Sequence, residues 1–152
     1  MVRSKLCVLA ILFSLTFAFA AAQFRDIYSD TADAHADIAQ AIHTAAAQHK
    51  HVILDFGGNW CGDCKVLDYY FRQEPNLSLL EKNFVLVDIN IGRYDKNLDL
   101  AEKYQVPLKR GVPALAVLDS HGRLLYSQKN GEFETMRSMD PQSVTQFLNQ
   151  WK

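Results

Sequence analysis

A chain of 152 residues that is 49% hydrophobic and 22% charged has room for one domain with a substantial apolar core. Its 16 basic and 17 acidic residues leave a formal net charge of −1, so it lacks the strongly basic surface that a nucleic-acid partner requires.

The first residues read as a secretory signal peptide. Arg3 and Lys5 form a charged head, residues 6–19 carry no charge, and small-x-small cleavage sites stand at 18–20 and 20–22. The apolar run is about 14 residues, against the roughly 20 needed to cross a bilayer. Cleavage after Ala20 or Ala22 is expected, giving a signal peptide over 1–22 and one domain over 23–152, exported to the periplasm or beyond the cell. It removes Cys7 and leaves 14 basic residues against 17 acidic ones, a net charge of −3. Export permits the remaining pair, Cys61 and Cys64, to persist as a disulfide. A purely structural staple is a poor reading of that pair, because closing two intervening residues removes little entropy from the unfolded chain.

Residues 23–30 form a lead-in with Phe24, Ile27 and Tyr28 as packing residues. A helix is predicted from Thr31 or Asp33, either of which can cap it, to about Lys50, with Ile38, Ala41, Ile42 and Ala45 on one stripe. A buried strand follows over 51–56, then a helix from the cysteine pair to about Glu74, where Pro75 enforces a break, and a short helix over 77–82. Residues 84–91 make a second core strand. Residues 97–104 make a helix with Leu98, Ala101 and Leu100 inward. Residues 114–119 and 124–126 read as a hairpin turning at Gly122, and 132–139 as a polar loop. Asp140-Pro141 opens a last helix whose inward stripe is Val144, Phe147, Leu148 and Trp151. Helices alternating with strands in this order give an α/β fold, a central mixed β-sheet with helices on both faces.

The chemistry concentrates where the first strand meets its helix. Val52-Ile53-Leu54 runs through Asp55 and two glycines into Trp60-Cys61-Gly62-Asp63-Cys64-Lys65. The first turn of a helix has unpaired N–H groups and partial positive charge, which favour a thiolate, the nucleophile of thiol–disulfide exchange.

These residues closely resemble the thioredoxin family. Trp60-Cys61-Gly62-Asp63-Cys64-Lys65 matches its Trp-Cys-Gly-x-Cys-Lys, and Asp55, six residues before Cys61, matches its buried aspartate. Arg110-Gly111-Val112-Pro113 matches its Arg-Gly-Ile-Pro segment, and the Gly122 hairpin and final helix complete the order. The resemblance spans about 31–152 and implies a thioredoxin-like fold and a thiol–disulfide oxidoreductase that needs no cofactor beyond its own cysteine pair. It further implies Cys61 as nucleophile, Cys64 as resolving thiol, and Asp55, its pKa raised by burial, as acceptor of the Cys64 proton. Pro113 would be cis and present the Val112 backbone to substrate. Trp60 would form an apolar wall beside the sulfurs, with Gly62, Asp63 and Arg110 also lining the substrate groove.

The departures from the family are informative. Asp63 stands where thioredoxin has proline, and an acid there opposes the thiolate and inclines the pair towards a disulfide reductant. Asp88 stands near the place of a family lysine beside the buried aspartate. Pro107-Leu108-Lys109 looks like a small insertion that brings Lys109 and Arg110 to the groove. The expected partners are proteins carrying disulfides or thiols and an unidentified electron donor, for which a membrane thiol–disulfide transporter is a candidate; the protein itself is expected to be a monomer. The rival readings are a disulfide oxidase or isomerase and a non-catalytic binding protein on the same fold. A metal site is not expected, because His35, His43, His49, His51 and His121 show no second ligand pair at short spacing.

Overall fold

The computed structural model describes residues 25–152, so the predicted signal peptide at 1–22 and Phe24 lie outside the described residues. Helix α1 (Ala34–Gln48) begins at Asp33, whose carboxylate accepts hydrogen bonds from the His35 and Ala36 N–H groups and so caps two orphan donors. Strand β1 (His51–Gly57) leads to α2 (Gly62–Phe71), then α3 (Asn76–Asn83), β2 (Phe84–Asn90), α4 (Leu98–Lys103), β3 (Ala114–Leu118), β4 (Leu124–Ser127) and α5 (Gln142–Trp151). Asp140 Oδ1 accepts from Gln142 N at 2.9 Å, so the predicted cap of the last helix is in place.

The four strands form one sheet in the order β2-β1-β3-β4, with β1 parallel to β2 and antiparallel to β3, and β3 antiparallel to β4. This is the mixed sheet expected from the sequence. The pleat sorts its side chains into two cores. Val52, Leu54, Phe56, Val87, Ile89, Ala114, Ala116 and Leu118 pack beneath α1 and α4. Ile53, Leu115 and Val117 pack beneath α2 and α5, with Leu67, Phe71, Val144, Phe147 and Leu148.

Three local predictions are corrected. Helix α2 stops at Phe71 rather than near Glu74, because the residue before a proline is sterically kept out of the α region and the chain must already have left the helix at Pro75. Leu98, predicted to face inward, is 46% exposed; α4 starts only there, and the inward positions of so short a helix fall to Leu100 and Ala101. The stretch at 132–139 is not simply a polar loop. It contains a 3₁₀ turn, Met136–Ser138, that buries Met136 completely in the second core.

Candidate active site

Strand β1 ends and α2 begins within four residues, and Cys61 is the N-cap of α2. Its Sγ accepts a hydrogen bond from the Cys64 N–H at 3.0 Å and lies 3.4 Å from the Val112 carbonyl oxygen. Cys61 and Cys64 are joined as a disulfide with Cα atoms 5.3 Å apart. Cys64 is fully buried and Cys61 is 5% exposed. The Cys61 sulfur therefore sits at the positive end of the helix with one of the orphan N–H groups aimed at it.

The Val112–Pro113 peptide is cis, and this loop faces the sulfurs as expected. Its far side is fixed by Gln128, which is buried, donates to the Pro113 carbonyl at 3.2 Å and accepts from Leu115 N at 3.2 Å. Arg110 is exposed and lines, with Lys109, Tyr94, Leu98, Val106 and Leu108, an apolar groove of about 720 Å³ that ends on Gly111. Trp60 is 40% exposed rather than part of the core. Its indole N–H donates to the Gly92 carbonyl at 2.6 Å, and its ring lies against Tyr94, with centroids 5.6 Å apart, and beneath the Arg93 guanidinium.

Asp55 is 1% exposed. Oδ2 accepts a hydrogen bond from the Tyr28 hydroxyl at 2.9 Å, and Oδ1 has no hydrogen-bond partner among the described residues. Burial pushes its pKa well above the ordinary carboxylate range, and the Asp88 carboxylate, its register partner on β2, pushes the same way; the Tyr28 hydrogen bond partly opposes them. Asp88 is itself raised to about 6, by burial first and then by Asp68. Asp68, on α2, is paired with Arg72 at 2.8 Å.

Asp63 departs from expectation. It is not an unopposed acid beside Cys61. Arg137 donates to Oδ2 through its side chain at 3.0 and 3.2 Å, and the Arg137 backbone N–H donates to Oδ1 at 2.9 Å. Burial would raise the Asp63 pKa, but these bonds outweigh it and hold the carboxyl below its usual value. The charge is thus fixed but paired, so its opposition to the Cys61 thiolate, and with it the inclination towards a reductant, is weaker than an unpaired acid there would give. The guanidinium also lies 3.5 Å from where a Cβ on Gly62 would sit.

Three contributors had no sequence signal pointing to the site. Tyr28 reads as a packing residue, Asn59 has no assigned role, and Arg137 falls in the stretch read as a polar loop. Asn59 Oδ1 accepts from the Ile27 and Tyr28 N–H groups at 2.9 and 3.1 Å, and its Nδ2 donates to the Tyr28 carbonyl at 2.8 Å. The pair Gly58-Asn59 beside a strand end is a turn signal, but which distant segment its side chain holds is not written locally.

A family model described as thioredoxin-like matches residues 33–120. The chain belongs to the thioredoxin-like family. This thioredoxin-like protein is 36% identical to a disulphide isomerase from Xylella fastidiosa Temecula1, covering 83% of this chain and 96% of that one with a TM-score of 0.79. A thioredoxin from Thermus thermophilus, 20% identical over 74% of this chain and 81% of that one with a TM-score of 0.55, shares the fold. Among curated proteins it is 31% identical over 91 residues to the thiol:disulfide interchange protein DsbD of Photorhabdus laumondii, covering 59% of this chain and 15% of that protein. It is 24% identical over 120 residues to a protein disulfide-isomerase of Datisca glomerata, covering 76% of this chain and 23% of that protein. The chain thus spans less than a quarter of the length of either curated relative. Family membership and the bonded cysteine pair together support thiol–disulfide exchange. Among the described residues, no helix is long and apolar enough to cross a membrane, and no group of three or more His, Cys, Asp or Glu side chains could hold a metal ion.

Proposed function

We propose that this protein is an exported thiol–disulfide oxidoreductase that works from its dithiol form on the disulfides of other proteins. The observation that carries the proposal is the Cys61 sulfur at the N-terminus of α2, receiving the Cys64 N–H at 3.0 Å beside the Val112 carbonyl. In the first step the Cys61 thiolate attacks a substrate disulfide; a Cys61–substrate bond forms and the other substrate sulfur leaves as a thiolate. In the second, the Cys64 proton passes to Asp55, Cys64 attacks Cys61 Sγ, and the Cys61–substrate bond breaks. Two electrons have moved to the substrate, its second sulfur leaves as a thiolate, and the Cys61–Cys64 disulfide remains. Return to the dithiol requires an external thiol donor. In this reading Val112 and Pro113, whose loop lies against Cys61, meet the substrate chain beside the bond being exchanged, and Trp60, Gly62, Asp63 and Arg110 are the further residues assigned to substrate binding. Export, to the periplasm or beyond the cell, rests on the signal-peptide reading of residues 1–22, and the likeness to DsbD favours the periplasm.

Isomerisation is the second reading, supported by the 36% identity to the Xylella fastidiosa disulphide isomerase. Both reactions share the Cys61 attack and differ in which thiol resolves the intermediate. Equilibration of the Cys61–Cys64 pair with glutathione separates them: a potential near about −270 mV supports net reduction, and one near about −180 mV supports isomerisation. For the exchange reading itself, Cys61→Ser must abolish reduction of insulin disulfides by the dithiol protein; undiminished turnover would refute it.

A further inference from the structure

The lead-in that carries Tyr28 is not a loose end. Asn59 holds the Ile27 and Tyr28 backbone through the three bonds described above. Asn90, at the end of β2, donates to the Ser29 carbonyl at 3.2 Å and to Asp30 Oδ1 at 2.9 Å. These clamps press the Tyr28 ring into the first core with no exposure at all. The hydroxyl points at two things. It donates to Asp55 Oδ2, and it shares with Cys64 Sγ the space over Gly57: a Cβ added there would overlap the phenol oxygen and lie 2.9 Å from the buried sulfur. Glycine at 57 is what lets the phenol, the carboxylate strand and the resolving sulfur meet.

We propose that Tyr28 is a positioning residue of the resolving step: its hydroxyl holds the Asp55 carboxylate in the orientation and ionisation state needed to take the proton from Cys64. The proposal rests on the thiol–disulfide reading and on Asp55 as proton acceptor. A buried carboxylate with one oxygen unpartnered among the described residues has only this phenol to fix it, so the donor decides both where the lone pairs point and how easily the group ionises. Burial raises the Tyr28 pKa well above its ordinary value, with Asp55 and Asp88 adding to it, so the phenol keeps its proton and stays a donor. The charged and titratable groups facing Asp55 are Tyr28 from the lead-in, Asp88 from β2 and Asp68 from α2, with Arg25 and Arg72 acting on Asp88. Tyr28 alone among them stabilises the ionised form of Asp55.

The step balances within the chain. Cys64 loses its proton to Asp55, the Cys64–Cys61 bond forms, the Cys61–substrate bond breaks, and the substrate sulfur departs with the electron pair. Tyr28 exchanges nothing; it keeps its hydrogen bond to Oδ2 throughout.

The test is stopped-flow reduction of a protein disulfide by the full dithiol protein, following mixed-disulfide formation and decay separately over a pH series. Tyr28→Phe keeps the ring and removes only the hydroxyl. Mixed-disulfide formation through Cys61 is expected to be unchanged. Its decay is expected to be about tenfold slower on the acid limb, with the apparent pKa of that limb moved up by about one unit, since a hydrogen bond to a charged group is worth roughly that much. Asp55→Asn should remove the limb, and adding Tyr28→Phe to Asp55→Asn should then change nothing further. A Tyr28→Phe profile superimposable on the parent's, or a full additional loss in the Asp55→Asn background, overturns the proposal. Failure of the exchange reading shows differently, as no mixed disulfide in the parent protein. If Tyr28→Phe fails to fold, Asn59→Ala, which releases the Tyr28 backbone and adds no charge near Asp55, must produce a shift of the same sign, and its absence is equally fatal.

Discussion

Replacing Asn59 by alanine removes the side chain that fastens residues 27–28 to the turn before the cysteines. Two backbone donors, Ile27 N and Tyr28 N, lose their only hydrogen bonds among the described residues, and the Tyr28 carbonyl keeps only a 3.4 Å bond from Asn90. At about 1 kcal/mol per bond lost, with orphaned part-buried donors adding to that, the cost is about 3 kcal/mol. Detachment of the lead-in sets the ceiling, because it would return the Ile27 and Tyr28 side chains to water at roughly 1.5–3 kcal/mol each. Urea denaturation of the oxidised protein reads this directly: with a slope of about 1–3 kcal/mol/M for a domain of this size, the midpoint should fall by about 1–3 M. Amide exchange at residues 27 and 28 should accelerate while the β1 amides stay protected. A stability change of Asn59→Ala within about 0.5 kcal/mol of the parent would show that Asn59 does not fasten the lead-in, since surface substitutions away from such contacts stay within that range.

Three further outcomes are expected. Asp88 titrates at about 6 when folded against 3.8 as a free side chain, so between those values the folded chain holds a proton that the unfolded chain does not, and stability falls as pH rises through about 4 to 6; Asp88→Asn should weaken that slope and stabilise the protein at pH 7 by on the order of 1–2 kcal/mol, as urea titrations at several pH values would show. Arg137→Ala leaves Asp63 as an unpaired carboxylate in the first turn of α2, so the Cys61 thiol pKa should rise and its alkylation at neutral pH should slow; an unchanged alkylation profile would remove Arg137 from the site's electrostatics. Gly57→Ala forces a methyl into the Tyr28 hydroxyl and should destabilise by about 1–3 kcal/mol, with Tyr28→Phe in the same chain recovering part of the loss.

What the sequence carries openly is whatever short-range pattern encodes. Val52-Ile53-Leu54 and Ala114-Leu115-Ala116-Val117-Leu118 read as buried strands because every residue faces one core or the other, and the structure buries them all. Asp55 is legible through the family resemblance: an acid on the strand six residues before a cysteine matches the family's buried aspartate, and the structure buries it. Its neighbourhood is not legible. The phenol it bonds is 27 residues away and the arginine that pairs with Asp63 is 74 away, each in a segment without periodicity, and only the packed tertiary structure brings them in. The misreading of Asp63 has that origin. A charge next to Cys61 in the chain has a definite sign, but its effect depends on a counter-ion that local spacing does not announce.

The family match runs from residue 33 to residue 120, and both Tyr28 and Arg137 fall outside it. A recombinant fragment trimmed to those limits would keep β1, both cysteines, Asp55 and the Val112–Pro113 loop. It would still lose the donor to the buried carboxylate and the cation on Asp63. Two proteins in this fold can therefore share every residue that a motif search inspects and differ in how fast they release substrate, because the difference is written in the margins of the domain. Boundaries for expression, fusion tags included, belong upstream of Arg25 and downstream of α5.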